Sequence, residues 1–470
     1  MLKVGNQKGY RCLLAIRSVL AAAAVFLWSA SASTAPVDQT IVLTDVRLIT
    51  GEDGPPLEHA AIVIEGDRIA SVGPADKLHR LKSAQVINYR NKTVLPGLIS
   101  DHSHVGQVDG VSLGSQNYNR PNILRQLRQY EVYGVTTITA LGLNGDLFYE
   151  LRPQLHSGTL PGADLFGADR GIGIPNGAPP SPPVNLPPTQ LYRVSTPEQA
   201  VQAVDQMAVR KPDFIKVWVD DIHGTERVKM TPEVYGAVIQ EAHRLGLRVA
   251  AHVYYLSDAK SLVQQGVDVI AHGVRDRPVD AEFINAMKAR SVWYIPTISL
   301  DESSYIFAEQ PGWRMDPFLA HALQPALAAE LDDSAWRARI LENQKQVDVD
   351  KASVQMNEHN LKTLYDAGVN IGFGTDSGAF PVRIPGFAEH RELELLVAAG
   401  LTSLQAINLA TGKAAALLQL NDRGVLAPGK LADLVVIDGN PEVHIQDIHK
   451  IEAVWHRGKL VSGRVQDFTP

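Results

Sequence analysis

Hydrophobic residues along this chain recur in two textures, and where one gives way to the other marks the organisation of the protein. From Thr40 to Val94 the apolar positions form short runs, IVLTDVRLIT, AAIVIEGDRIASVG and QVINYRNKTVL, with Gly66-Asp67 at a hairpin position. The same texture returns near the end in KLADLVVIDG and IEAVWHRGKLV, with Arg457-Gly458 at a turn. A β unit split between both ends predicts a second domain inserted between its halves.

Between them, short apolar strands alternate with stretches of helical period, the pattern of βα units and a parallel sheet. Eight strands are predicted: residues 94–104, 136–142, 164–171, 214–221, 248–255, 269–274, 293–299 and 370–378. The intervening TPEVYGAVIQEAHRLG carries its own punctuation, with Thr231 as N-cap, Pro232 at the first helical position and Gly246 at the end. No Gly-rich phosphate loop follows the first strand, so the prediction is an α/β chain. It has a (β/α)8 TIM barrel over 96–420 and a small composite β-sandwich from 36–95 and 421–466. The long connections 171–192 and 300–334 follow strands and are expected to overhang the active face.

Residues 1–32 stand apart. Lys3, Lys8, Arg11 and Arg17 precede an apolar run from Val19 to Trp28 and small residues from Ser29 to Ala35. That order predicts a signal peptide cleaved after Ala32 and a periplasmic or secreted protein with no stable membrane anchor, an uncleaved anchor being the alternative. The single cysteine, Cys12, lies in this leader, so the mature protein has no thiolate, and any metal site must use nitrogen and oxygen. The composition is globular, 45% hydrophobic and 20% charged over 470 residues. A net charge of -7 leaves no basic face for nucleic acid, which points to a small-molecule substrate. A homo-oligomer is compatible with this composition.

His102-Ser103-His104 places two imidazoles on one face of a strand. With 15 histidines in the chain, such a pair alone says little. Position adds more: His252, His272 and Asp376 also fall near the C-terminal ends of predicted strands, where barrel enzymes carry their chemistry. Inward-facing His and Asp are costly to bury unless paired or ligated. Lys216 lies inside the apolar FIKVWV, where burial would lower its pKa. A neutral amine there can add carbon dioxide to give a carbamate; a buried salt bridge and an outward-facing lysine are the alternatives.

PGLISDHSH, FIKVWVDD, AAHVYY, IAHG and FGTDSG, in that order and spacing, resemble the amidohydrolase superfamily across nearly the whole mature chain. The closing NLATGKAAALLQL and GVLAPGKLADLVVID are similar to its characteristic end. The pattern is similar to the imidazolonepropionase-like branch that includes Xaa-Pro dipeptidases and ochratoxin-type amidases. The resemblance implies two divalent metal ions. His102 and His104 would bind the more buried one, His252 and His272 the second, with Lys216 bridging as N6-carboxylysine and Asp376 ligating the buried ion and moving protons. Nitrogen and oxygen ligands favour zinc. The implied reaction is attack on an amide by a hydroxide bridging the two ions. Ser100 departs from the pattern, the family usually having Asp there, although Asp101 is adjacent. Lys216 argues against imidazolonepropionase activity itself, because that enzyme lacks the bridging lysine. GIGIPNGAPP lacks the substrate-binding histidine often found in dipeptidases of this branch, which argues against strict Xaa-Pro specificity.

On the substrate side, Tyr254 is two residues past His252 and on a continuing strand would face the same way, ready to bond a substrate carbonyl or carboxylate. A half-buried structural aromatic is the alternative. Arg275 could bind a carboxylate as a fork or be a solvated loop charge. The function expected is an exported binuclear amidohydrolase acting on an N-acyl amino acid, dipeptide or related carboxamide. A lactonase or organophosphate esterase using the same site is the second reading, and a metal-free binding protein the third.

Overall fold

The computed structural model describes residues 40–78, 84–180, 186–222, 224 and 228–462. The predicted leader lies outside them. In the middle of the chain, eight parallel strands form where the apolar runs lie: β1 (Leu98–Ser103), β2 (Val135–Ala140), β3 (Asp164–Gly167) and β4 (Phe214–Trp218). They continue as β5 (Arg248–His252), β6 (Val269–Ala271), β7 (Trp293–Ile295) and β8 (Asn370–Ile371). All five residues of β4 are buried, as expected of a parallel strand covered on both faces.

Neighbours in the chain are neighbours in space: β1 pairs β2, β2 pairs β3, and β4 through β8 pair in sequence. Two parallel bridges join the sets, Ala168 with Phe214 and Ser103 with Ser377. At the second seam the His104 amide donates to the Ser377 carbonyl at 2.7 Å. The result is an α/β fold consistent with a TIM barrel. Its helices begin as the sequence indicates. Pro232–Arg244 has Thr231 at its N-cap and Pro at its start, and Gly246 follows with φ +73°, a conformation that glycine adopts without steric cost.

Five strands from the N-terminal side (Ile41–Leu48, Leu57–Glu65, Arg68–Pro74, Gln85–Asn88, Thr93–Pro96) and three from the C-terminal side (Leu434–Ile437, Ile451–His456, Lys459–Ser462) join in one eight-stranded sheet. The halves meet where Thr93–Pro96 pairs antiparallel with Leu434–Ile437. The sheet has its own core, including Leu43, Ile62, Val436 and Trp455.

The first expected strand, 94–104, is two. Its start belongs to the terminal sheet and its end to the barrel, with the break at Gly97, where a Cβ would lie 2.2 Å from the Thr136 hydroxyl. The seventh ends at Ile295, and Ser299–Glu302 is helical instead. Both long connections reach the barrel mouth, through Pro179 and Pro180 in one and Leu300, Asp301 and Ser304 in the other. The aromatics of the second, Tyr305, Phe307 and Phe318, are instead buried in the main core. No helix among the described residues is long and apolar enough to cross a membrane.

Candidate metal centre and active site

The six expected ligand positions converge at the C-terminal mouth of the strands. His102 lies near the end of β1 and His104 just past it, Lys216 lies within β4, His252 ends β5, His272 follows β6 and Asp376 lies beyond β8. His102 and Lys216 are fully buried, and His104, His272 and Asp376 nearly so. The imidazoles form a chain: ring centroids are 5.6 Å apart for His102 and His104, 4.4 Å for His102 and His272, and 4.4 Å for His252 and His272. His102 Nε2 and His104 Nε2 approach the same oxygen, Asp376 Oδ1, at 3.2 and 3.0 Å. Lys216 Nζ lies 3.5 Å from His102 Nε2.

Burial sets the charge states. It holds His102 and His272 well below the ordinary histidine value, with Lys216 pressing on the former and His252 on the latter, and it lowers His252 as well. Burial also brings Lys216 down to about 7. Asp376 goes the other way. Burial would raise it, but Arg383 and the hydrogen bonds from His102 and His104 hold it well below the carboxylate range, so it is ionised. His102, His252 and His272 therefore stand as neutral imidazoles near an ionised carboxylate.

That donor set fits a divalent cation. Atoms of His102, His272 and Asp376 lie within 4.8 Å of one another, and all are nitrogen or oxygen. Neutral imidazole is the ligating form. The other ring nitrogens are occupied in a way that orients the rings: His252 Nε2 meets Asp220 Oδ2 at 2.8 Å, leaving Nδ1, and His272 Nδ1 meets Thr297 Oγ1 at 2.9 Å, leaving Nε2.

Asp101 does not replace the missing family aspartate. Its Oδ2 accepts the Phe373 amide at 3.0 Å, and burial raises its carboxyl. Ser100 instead joins a buried hydroxyl cluster around Glu389. Glu389 Oε1 accepts from Ser377 at 2.6 Å, Thr375 at 2.7 Å and Ser100 at 3.2 Å, with Ser103 at 3.5 Å. One carboxylate oxygen thus ties the ligand end of β1 to the segment carrying Asp376.

With the barrel and this site in hand, the family follows. Residues 93–461 match the model of the amidohydrolase family. The chain belongs to that family. Its buried His, His and Asp group is consistent with the metal site typical of amidohydrolases, and the protein is a metal-dependent amidohydrolase. Ochratoxinase of Aspergillus niger is 26% identical, the alignment covering 92% of this chain and 88% of that one. A putative prolidase structure from Bifidobacterium longum is 26% identical with TM-score 0.72, covering 90% of this chain and 95% of that one. The fold is also that of a Xaa-Pro dipeptidase with bound methionine, with TM-score 0.71 at 24% identity over 90% of this chain and 100% of that one.

The two expected substrate residues part company. Tyr254 is absent from the lining of the cavity at the site, a space of about 410 Å³. Because β5 stops at His252, the period of two does not carry past it, and the Tyr254 hydroxyl lies 3.2 Å from Ser353 Oγ instead. Arg275 does line the cavity, and it is buried, which overturns the solvated-charge alternative. Its Nη1 meets Asp301 Oδ2 at 3.3 Å, its Nη2 donates to the Val253 carbonyl at 3.2 Å, and its Nε finds no acceptor among the described residues.

Sequence reasoning missed Asp220, Thr297, Arg383 and Glu389. Asp220 was within reach, since it stands four residues past Lys216 and alternates onto the same face. The others lie in loops or on a helix, where no period announces them.

Proposed function

We propose that the protein is an exported binuclear amidohydrolase. It cleaves the C–N bond of an N-acyl amino acid, dipeptide or related carboxamide, on a (β/α)8 barrel with a small sandwich domain built from both chain ends. The observation that carries the reading is the pair of Nε2 atoms, His102 and His104, converging on one oxygen of a buried, ionised Asp376. His102, His104 and Asp376 would hold one ion and His252 and His272 a second, with Lys216 between them as N6-carboxylysine. Zinc suits these donors. Bound there, divalent ions supply a Lewis acid for the amide carbonyl and lower the pKa of water.

The residues do the rest. Asp376 is kept as carboxylate by Arg383, so it can accept a proton from the attacking water and hand it to the leaving nitrogen. Asp220 and Thr297 fix the rings of His252 and His272. Arg275, which lines the cavity, would take a substrate carboxylate. Two relatives support the amide reading by name, an ochratoxinase and a putative prolidase. Export rests on the charged, apolar and small-residue order of residues 1–32. An intact mass beginning after Ala32 is expected.

A panel of N-acyl amino acids, dipeptides, lactones and phosphotriesters, compared by kcat/KM, tests the bond. The amides are expected to lead. A lactone or phosphotriester leading by about tenfold or more would replace the amide with an ester as the natural bond.

A further inference from the structure

The strand order divides the rim of the 410 Å³ cavity into two arcs. Leu113, Leu143, Pro179, Trp218 and Ile222 come from the segments around and after β1 to β4, and Phe380 follows β8. The polar members of that arc, Gln107, Asp220 and Arg383, are engaged by the Leu143 carbonyl, His252 and Asp376. Leu143 and Trp218 belong to one apolar cluster, with Leu113, Ile222 and Phe380 packed against it. Across the ring, Arg275 follows β6, Asp301 and Ser304 follow β7, and Gln346 and Asp350 sit at the head of the helix Gln344–Asp366. These residues are knitted together. Arg275 reaches Asp301, the Ser304 hydroxyl donates to Asp350 Oδ2 at 2.5 Å, and the Gln346 amide donates to Asp350 Oδ1 at 2.9 Å. The ligand residues lie between the arcs, on or just past β1, β4, β5, β6 and β8.

We infer that the substrate is amphipathic about its scissile amide. A bulky apolar group, aryl or branched alkyl, lies against the Trp218 and Phe380 arc, and a hydrogen-bonding or charged group lies against the Arg275, Asp301 and Asp350 arc. This rests on the amide-hydrolase reading above. The physics is asymmetric on the two sides. A polar group pressed on the apolar arc loses its water without gaining a partner, and an apolar group on the polar arc strips water from Arg275 and Asp301 without replacing it. A site built on buried polar groups rejects the analogue that leaves them unpaired more strongly than an apolar wall rejects a smaller group. Substrates polar on both sides or apolar on both sides are therefore both poor.

Four amides test this with the purified, zinc-loaded full chain: N-benzoylglycine and N-succinylaniline, amphipathic in opposite senses, N-benzylbenzamide, apolar on both sides, and N-succinylglycine, polar on both. One of the two amphipathic amides is expected to exceed both others in kcat/KM by about tenfold or more. In Phe380→Ala the advantage of a phenyl over a methyl group on that substrate frame is expected to fall about fivefold, because the lost contact is apolar. N-benzylbenzamide or N-succinylglycine matching the better amphipathic amide overturns the inference, as does equal loss on the phenyl and methyl substrates in Phe380→Ala. Hydrolysis of none of the four by protein that cleaves a lactone or phosphotriester removes the amide reading, and this inference with it.

Discussion

Two sets of buried histidines in this protein are prepared for opposite charge states. At the barrel mouth His102, His252 and His272 are pushed down by burial and by the Lys216 amine, and His272 also by the two other rings. At the seam between the barrel and the terminal sheet, His456 is equally hidden, yet it is raised. Burial alone would lower it, but Asp433, Glu131 and Asp164 outweigh burial, and His456 Nδ1 lies 2.7 Å from Glu131 Oε1. The difference is in the acids. The seam gathers Asp433, Glu131 and Asp164 around one ring and completes an ion pair, whereas at the mouth Asp376 is already held by Arg383 and shared by two imidazoles, and Asp220 meets the His252 ring. Imidazoles kept neutral by burial beside an ionised Asp376 suit a cation that the chain itself does not provide; a charged imidazole among acids suits a joint.

The comparison breaks first at Asp376. Asp376→Asn keeps the shape but removes the proton acceptor, and kcat is expected to fall by about 1,000-fold with the fold intact by circular dichroism. Wild-type-like turnover would take Asp376 out of the chemistry. Lys216→Ala is expected to lower kcat by about 100-fold and to reduce bound metal, with partial recovery on adding a short carboxylate such as propionate. Full activity without the lysine would remove the carbamate from the mechanism. Glu389 sharpens the contrast from beneath. It touches no substrate, so Glu389→Gln should weaken metal affinity and kcat by about tenfold while leaving KM nearly unchanged. A change in KM alone would mean that it does not position Asp376.

The smallest effect on turnover belongs to His456. His456→Gln should change kcat by less than about twofold but cost about 2 kcal/mol of stability, since Glu131 Oε1 loses its charged partner and only Arg128 remains on the carboxylate. A folded-state pKa above the ordinary histidine value of about 6.5 means that the stabilisation is complete below that value and is lost as pH rises through the folded-state value. The Tm gap between wild type and variant should therefore be widest near pH 6 and narrow in alkaline buffer. A gap that widens with pH would contradict the charged seam.

What the residues reveal before folding follows the same physics. Strand placement put His102, His104, His252, His272 and Asp376 near strand ends, and burial cost marked them as a set. Lys216 owed its place to resemblance. Periodicity fails where the backbone leaves the strand: His272 and Asp376 have φ of +79° and +61°, and Thr297 and Ile222, both β-branched, have +49° and +50°. These left-handed conformations at the mouth re-aim side chains in ways that alternation does not foresee. Tyr254 is the cost of extending the strand too far. Glu389 acts across the β8–β1 seam, a long-range contact that no local pattern encodes, and Arg383 reaches Asp376 from an irregular loop after β8. Residues 94–104 read as one strand because the apolar run is unbroken through Gly97, and only the crowding against Thr136 reveals the junction.

The central claim, that the neutral imidazoles and Asp376 hold metal ions on which hydrolysis depends, is tested most directly by elemental analysis of the purified full chain beside its amidase activity, before and after chelation. The account expects two divalent ions per chain, with activity lost on chelation and restored by zinc. Less than about one ion per chain, with amide hydrolysis undiminished by the chelator, would contradict it.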